Sequence, residues 1–226
     1  MPKEFHLPLF DDFLLHLQAN NFSAETVYSY ERDLQTFAFF IAHDIKKTFS
    51  SLIKGDILRF KAYLASSDRK TARTHASEKH LSSYSVNRIL SALRSYIKFL
   101  DDMDYQSPLS IAAIKLIKTE KKHGRVPSFE ELMQLIEAPM KFETDHRIAL
   151  RNRAMLEVLF ATGMRISELL ALKIRQIDQR GRIYILGKGK KQRFVYLTPR
   201  ALECTKRYIT RRGSTSEMLF VPYRGR

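Results

Sequence analysis

Between residues 27 and 41 apolar side chains return at every third or fourth position: Val27, Tyr30, Leu34, Phe37 and Ile41. That is the repeat of one helix face. Ser23, just ahead of it, is suited to cap the first free N–H groups. Leu7 to Leu17 is a shorter segment of the same kind. Asp56 is placed to cap a helix through Ile57, Phe60 and Leu64, whereas Ser66 to His80 is polar, without period, and predicts a loop. Val86, Ile89, Leu93, Tyr96 and Leu100 then mark another strong helix. The expectation is a four-helix domain over residues 1–105.

Residues 106–127 predict a basic linker, with Pro108 near its start, Lys118, Lys121, Lys122 and Arg125 along it, and Pro127 at its close. A second domain over 128–226 begins at once, since Ser128 with Glu131 three residues later is a capping box ahead of Leu132, Leu135 and Ile136. Arg151 to Ala161 predicts a helix, Thr162-Gly163 an interruption, and Ile166, Leu169, Leu170 and Leu172 a second short helix. Residues 182–186 and 193–197 are β-branched and aromatic runs joined by the Gly-rich stretch Gly187 to Gln192, the pattern of a hairpin. Thr198 then caps a helix with Pro199 in its first turn, ending near Gly213 with Arg211 and Arg212 placed for the helix dipole. The fold class expected is mainly α, with an α+β second domain containing a small β-hairpin.

Composition narrows the function more than the fold. The lone Cys204 excludes an intramolecular disulfide and a cysteine zinc cluster, and no metal or cofactor is expected. No secretion signal is visible near Met1. The densest apolar run, Ala154 to Ala161, is broken by Glu157 and is too short to span a bilayer. A cytosolic protein without membrane contact is expected. The net charge is +15, and it is unevenly placed. Residues 1–105 carry 14 basic and 13 acidic side chains; residues 106–226 carry 25 and 11. Such asymmetry points to a polyanionic partner for the second half. Within the first half, residues 69–98 hold seven basic side chains against one acid, Glu78, and Lys70, Arg73, Arg88 and Arg94 are candidates there for contact with a nucleic-acid backbone. A membrane surface fits less well, because the basic residues are not gathered on one amphipathic helix.

Two stretches carry candidate chemistry. The Gly-Lys-rich hairpin is not a nucleotide-binding loop: five residues separate Gly181 from Gly187 where four are required, and Gly189 stands where Ser or Thr should follow the lysine. A basic hairpin touching a nucleic-acid backbone remains. In Ala161 to Leu169 (ATGMRISEL), Arg165 lies at a helix start, where a cation is unfavourable unless an anion is present. With Glu168 to orient it, Arg165 forms either a phosphate site or an ordinary surface Arg–Glu pair.

Taken together these stretches resemble the tyrosine recombinase, or phage-integrase, family, and most of all its bacterial Xer-type members. Ala161 to Leu172 (ATGMRISELLAL) resembles the family's first catalytic-arginine motif, and Leu186 to Leu197 (LGKGKKQRFVYL) its catalytic-lysine hairpin. Ser23 to Phe40 and Leu81 to Leu100 resemble the opening and closing helices of its SAM-like core-binding domain. The resemblance implies strand cleavage and rejoining of double-stranded DNA through a 3′-phosphotyrosyl ester, without metal or nucleotide, by a tetramer on two DNA sites, with a related recombinase subunit as a further candidate partner. It implies that Arg165 grips the non-bridging oxygens, that Glu168 supports it, and that Lys188 protonates the leaving oxygen. Lys190, Lys191 and Arg193 are then expected on phosphates. Tyr196 stands where relatives often have proline. Chromosome-dimer resolution and phage or transposon integration stay equally open.

The match also runs out. The family's His-x-x-Arg motif is absent: none of His6, His16, His43, His75, His80, His123 and His146 has Arg three residues later. Tyr223 precedes the family position of the nucleophile, and Tyr28, Tyr30 and Tyr96 fall on first-domain helices, so no nucleophile is expected among these residues. The expectation is a truncated catalytic domain, inactive by itself. It would be a fragment of a recombinase, a cleavage-deficient DNA-binding protein of that ancestry, or an interaction module that acts on a full-length partner.

Overall fold

The computed structural model describes residues 7–66, 81–120, 124–186 and 192–222, and the chain divides into two compact units, Met1–His123 and Gly124–Arg226. The first unit is helical. α1 (Phe10–Ala19) is followed by α2 (Ala24–Phe39), which starts where Ser23 Oγ accepts the Thr26 N–H at 3.3 Å. α2 runs into a π-helical turn over Phe40–Asp44. α3 (Lys54–Ala65) begins three residues earlier than a cap at Asp56 would give, with Ile53 in the capping position. Asp56 lies in its first turn and reaches back to accept the Ile53 N–H at 3.0 Å, while Lys47 Nζ donates to the same carboxylate at 2.7 Å.

α4 (Ser83–Asp102) is the post around which this unit packs. Its buried Val86, Leu90, Leu93, Ile97 and Leu100 meet Leu34 and Phe37 of α2 and Phe60 of α3 in one core. Tyr96 is fully buried and donates its hydroxyl to the Pro8 carbonyl, tying α4 to the chain ahead of α1. Burial pushes that hydroxyl far above the ordinary tyrosine range, so Tyr96 is a packing residue. Arg88 on α4 pairs with the buried Asp33 of α2.

The stretch expected as a linker is in part built into this unit. Leu109 and Ile114 are buried in its core. The Asn87 side chain clasps the Ile117 backbone, donating to its carbonyl at 2.9 Å and accepting its N–H at 2.8 Å. The apolar positions Leu109, Ile111, Ile114 and Ile117 explain the difference, because their burial outweighs the loop character that Pro108 suggests.

The second unit opens with α5 (Phe129–Phe142). Its capping box is formed in both directions, Glu131 N–H to Ser128 Oγ at 3.2 Å and Ser128 N–H to Glu131 Oε2 at 2.8 Å. α6 (His146–Thr162) starts five residues before the expected Arg151, because Asp145 caps it by accepting the Arg147 and Ile148 N–H groups. α7 (Ile166–Leu170) is a single short helix. β1 (Arg182–Leu186) and β2 (Gln192–Tyr196) form an antiparallel pair in the register Arg182↔Tyr196, Tyr184↔Phe194 and Ile185↔Arg193. α8 (Pro199–Arg211) is capped by Thr198 and packs along α6.

Val158, Leu169, Ile183, Tyr208 and Leu219 centre the core of this unit. Between α6 and α8, the buried Glu157 carboxylate accepts from Arg153 Nε and Nη2 at 3.1 and 2.9 Å and from Arg200 Nε. Arg212 is not an exposed dipole partner of α8. It is buried, and it donates to the carbonyls of Ser216, Met218 and Leu219. Among the described residues the architecture is mainly α with one small two-stranded sheet, as the sequence leads one to expect.

Candidate functional site

α6 ends at Gly163, whose φ of 59° is the left-handed conformation that glycine adopts without strain. Thr162 Oγ1 donates to the Val158 carbonyl at 2.6 Å and accepts the Met164 N–H at 3.3 Å, which fixes the exit of the chain. Met164 and Leu169 are buried, so the short turn between them is held at both ends by the core. Arg165 sits in that turn with an extended backbone, φ −72° and ψ 151°, as the residue before α7.

Glu168 controls how Arg165 is presented. Its Oε2 accepts the Arg165 backbone N–H at 2.7 Å, and its Oε1 accepts from Arg165 Nη1 at 3.0 Å. Arg165 Nε and Nη2 make no hydrogen bond among the described residues, and the side chain is 60% exposed. The guanidinium is therefore oriented from one edge and open on the other.

The same carboxylate is bound from the sheet. Arg193 Nη2 donates to Glu168 Oε2 at 2.7 Å, and Arg193 Nη1 to Oε1 at 3.1 Å. Four donors from two arginines converge on one carboxylate, whose side chain is only 10% exposed. The Arg193 hydrogen bonds, helped by the backbone and side-chain bonds of Arg165 and opposed by burial, hold the Glu168 carboxyl down at about 2. It is ionised at any ordinary pH.

Arg193 was expected on phosphate, but both its terminal nitrogens face Glu168. Strand alternation explains this. Gln192, Phe194 and Tyr196 are exposed, while Arg193 and Val195 turn inward, and Arg193 stands opposite the buried Ile185. The signal was present in the sequence, since Ile183 and Ile185 set the inward face and the hairpin register places Arg193 on it.

The other candidates are scattered. Lys188, Lys190 and Lys191 lie in 187–191, and Lys70 and Arg73 in 67–80, outside the described residues; so does Tyr223. Arg94 is exposed on α4 and has no ionic partner among the described residues. Arg88, by contrast, is engaged with Asp33. A cleft of about 650 Å³ in the first unit is lined by Lys54, Ile97, Asp101, Asp104 and Tyr105 among others. Its two carboxylates suit no polyanion. Among the described residues no group of acidic, histidine or cysteine side chains is placed to hold a metal ion, and no helix is long and apolar enough to cross a membrane.

Comparison with known proteins places the sequence in a family. The phage integrase family model matches residues 125–226, and the model of the phage integrase N-terminal SAM-like domain matches residues 10–102. Tyrosine recombinase XerC of Xanthomonas axonopodis pv. citri is 32% identical over 219 residues, covering 95% of this chain and 69% of that protein. XerC of Pelobacter propionicus is 32% identical over 222 residues, covering 94% and 67%. XerD of Oceanobacillus iheyensis is 29% identical, covering 96% and 71%. The chain thus spans about two thirds of the length of these relatives. Among solved structures, XerH bound to difH in a post-cleavage complex is similar with a TM-score of 0.66 at 22% identity, over 90% of this chain and 58% of that one. A lambda integrase tetramer bound to a Holliday junction gives 0.67 at 14%, over 98% and 62%. At those identities the likeness is one of fold.

Proposed function

Because the chain belongs to the phage integrase family, the tyrosine recombinases, we propose that it binds double-stranded DNA and contributes the phosphate-gripping part of a site-specific recombination site. The observation that carries this reading is Arg165, which Glu168 holds by one edge while Nε and Nη2 stay open. A phosphodiester under in-line attack gathers charge on its non-bridging oxygens, and an oriented guanidinium fork is the donor that matches them. In this reading Arg165 binds the scissile phosphate and Glu168 orients it. Lys188, in the sequence between β1 and β2, protonates the 5′-oxygen as it leaves. Lys190 and Lys191 contact the backbone beside it. Arg94, with Lys70 and Arg73, does the same from the first domain, residues 1–105. The complete reaction passes through a 3′-phosphotyrosyl ester, within a tetramer like that described for lambda integrase on a Holliday junction. A related recombinase subunit is a further candidate partner, and the cytosol is the proposed compartment.

No histidine of the 226 residues is followed by arginine three positions later. That observation supports a second reading, in which the chain binds DNA or a partner recombinase and does not itself cut. We propose accordingly that this chain alone is inactive in cleavage.

Two measurements test these proposals. Duplex affinity measured against salt should fall steeply, with a log–log slope of about −0.9 for each phosphate contacted; a flat response would remove DNA as the partner. A nicked suicide duplex incubated with the chain should give no covalent protein–DNA product on a denaturing gel. A retarded covalent band would show that a nucleophile is present.

A further inference from the structure

Arg193 and Glu168 lie 25 residues apart, on β2 and α7, and their two-pronged pairing joins the elements that bear the proposed chemistry. Arg165 opens α7, and Arg193 lies on β2. We propose that Arg193 is a positioning residue: by occupying Glu168 from the sheet side, it keeps the Arg165 guanidinium free to meet a phosphate. This rests on the reading that Arg165 binds a DNA phosphate.

The geometry limits what each arginine can do. A carboxylate and a guanidinium pair best through two parallel N–H···O bonds. Arg193 makes that two-pronged pair with Glu168, at 2.7 and 3.1 Å. Arg165 reaches the same carboxylate with one side-chain nitrogen only, Nη1 at 3.0 Å. Its backbone N–H takes a further position on Oε2 at 2.7 Å. Each carboxylate oxygen therefore already accepts two bonds, and no site is left for a second nitrogen of Arg165.

Removing Arg193 vacates two of these positions. Arg165 can then swing its outer edge onto Glu168, forming a closed and neutral pair. Its charge and its open donors would be lost to the phosphate, although Arg193 itself never touched DNA. Charge balance points the same way. Two arginines on one carboxylate leave one net positive charge for an incoming phosphate; one arginine leaves none.

Arg193 is also held in this role by the fold. It faces inward, opposite the buried Ile185 and on the face shared with Val195. Its other strand neighbours, Phe194 and Tyr196, point outward. A side chain set by strand alternation is not a free-swinging surface cation.

The test uses the whole chain and a duplex probe. Fluorescence anisotropy is followed for wild type, R193A, R193K, E168Q and the double variant R193A/E168Q, and the Arg165 Nε–H resonance is followed by ¹⁵N NMR. R193A should weaken DNA binding several-fold and move the Arg165 resonance even without DNA, and R193K should recover part of both. Adding E168Q to R193A should restore affinity, because a neutral amide no longer captures Arg165 but still accepts its backbone N–H. E168Q on top of R193A returns one positive charge whichever arginine meets phosphate, so the resonance decides: if Arg193 contacts phosphate directly, R193A loses affinity while the Arg165 resonance of the free protein keeps its wild-type position, and that outcome overturns the proposal. Should wild type show no salt-dependent DNA binding, the DNA reading fails, while the resonance still reports whether Arg193 sets Arg165.

Discussion

Arg88 is the candidate DNA contact whose removal most clearly separates a binding role from a structural one. Its guanidinium pairs with Asp33, a carboxylate only 3% exposed at the seam of α2 and α4. Burial pushes the Asp33 carboxyl above its ordinary range, and the charge and hydrogen bond of Arg88 pull it back only in part. Truncation to alanine leaves that carboxylate buried without its ion pair. Breaking a buried pair from one side costs about 3–5 kcal/mol. Because the Arg88 side chain is 45% exposed, water replaces part of the lost partner and the expected loss is nearer 2–3 kcal/mol. At roughly 4 °C per kcal/mol for a unit of this size, between the ranges for smaller and larger domains, the melting temperature should drop by about 8–12 °C. The pH dependence has a definite sign. Without Arg88 the folded-state pKa of Asp33 stands still further above the unfolded value of 3.8, so the folded state holds the proton more tightly. The penalty is full at neutral pH and shrinks as pH falls through the folded-state pKa. Far-UV circular dichroism melts of R88A at pH 7 and pH 5 should therefore differ in their distance from wild type, and D33N should restore R88A. An unchanged melting temperature, with a DNA salt slope reduced by about one, would refute this and place Arg88 on the backbone of DNA.

Two further outcomes follow from the Arg165 turn. The Glu168 carboxyl is held at about 2 against an unfolded value of 4.5, so its contribution to stability is complete above about 4.5 and is lost as pH falls toward 2. Acid unfolding of E168Q should accordingly lack part of the wild-type pH dependence in that window, and superimposable profiles would disprove the linkage. At Gly163 an added Cβ meets nothing within 4 Å, so Gly163→Ala should cost only the left-handed backbone strain, about 1–2 kcal/mol, and Gly163→Asn less. Equal melting temperatures for glycine and alanine would contradict this.

Helix positions were legible where a periodic stripe met a capping side chain. Ser23, Ser128 and Thr198 cap where the sequence places them. The start of α6 was not, because Asp145 caps a first turn whose apolar face is thin, with Ile148 and Ala149 only. The burial of Leu109 and Ile114 was hidden for another reason. Their partners lie far off in sequence, and a short irregular segment shows no period. At the site, Arg165 and Glu168 could be read from three-residue spacing alone. The Arg193–Glu168 pair depends on β-strand register, which a run of five residues does not declare until the inward face of its neighbour is known. Arg212 misled for a similar reason: at a helix end it looks like a dipole partner, and only the returning loop at 216–219 supplies its carbonyl partners.

The hydroxyl of Tyr96 on the Pro8 carbonyl has a consequence in time. α4 brings the largest share of the first unit's core, and among the described residues it is the last of that unit's α-helices to be synthesised, with Leu109 and Ile114 following it. At roughly 5–20 residues per second, α1 to α3 emerge from the ribosome several seconds before the helix they pack on. Throughout that interval Phe13, Leu34, Phe37 and Phe60 have no finished core to enter. The nascent chain is therefore most open to aggregation, proteases and chaperones before α4 appears, and a slow codon run ahead of Ser83 would lengthen that exposure without altering a single side chain.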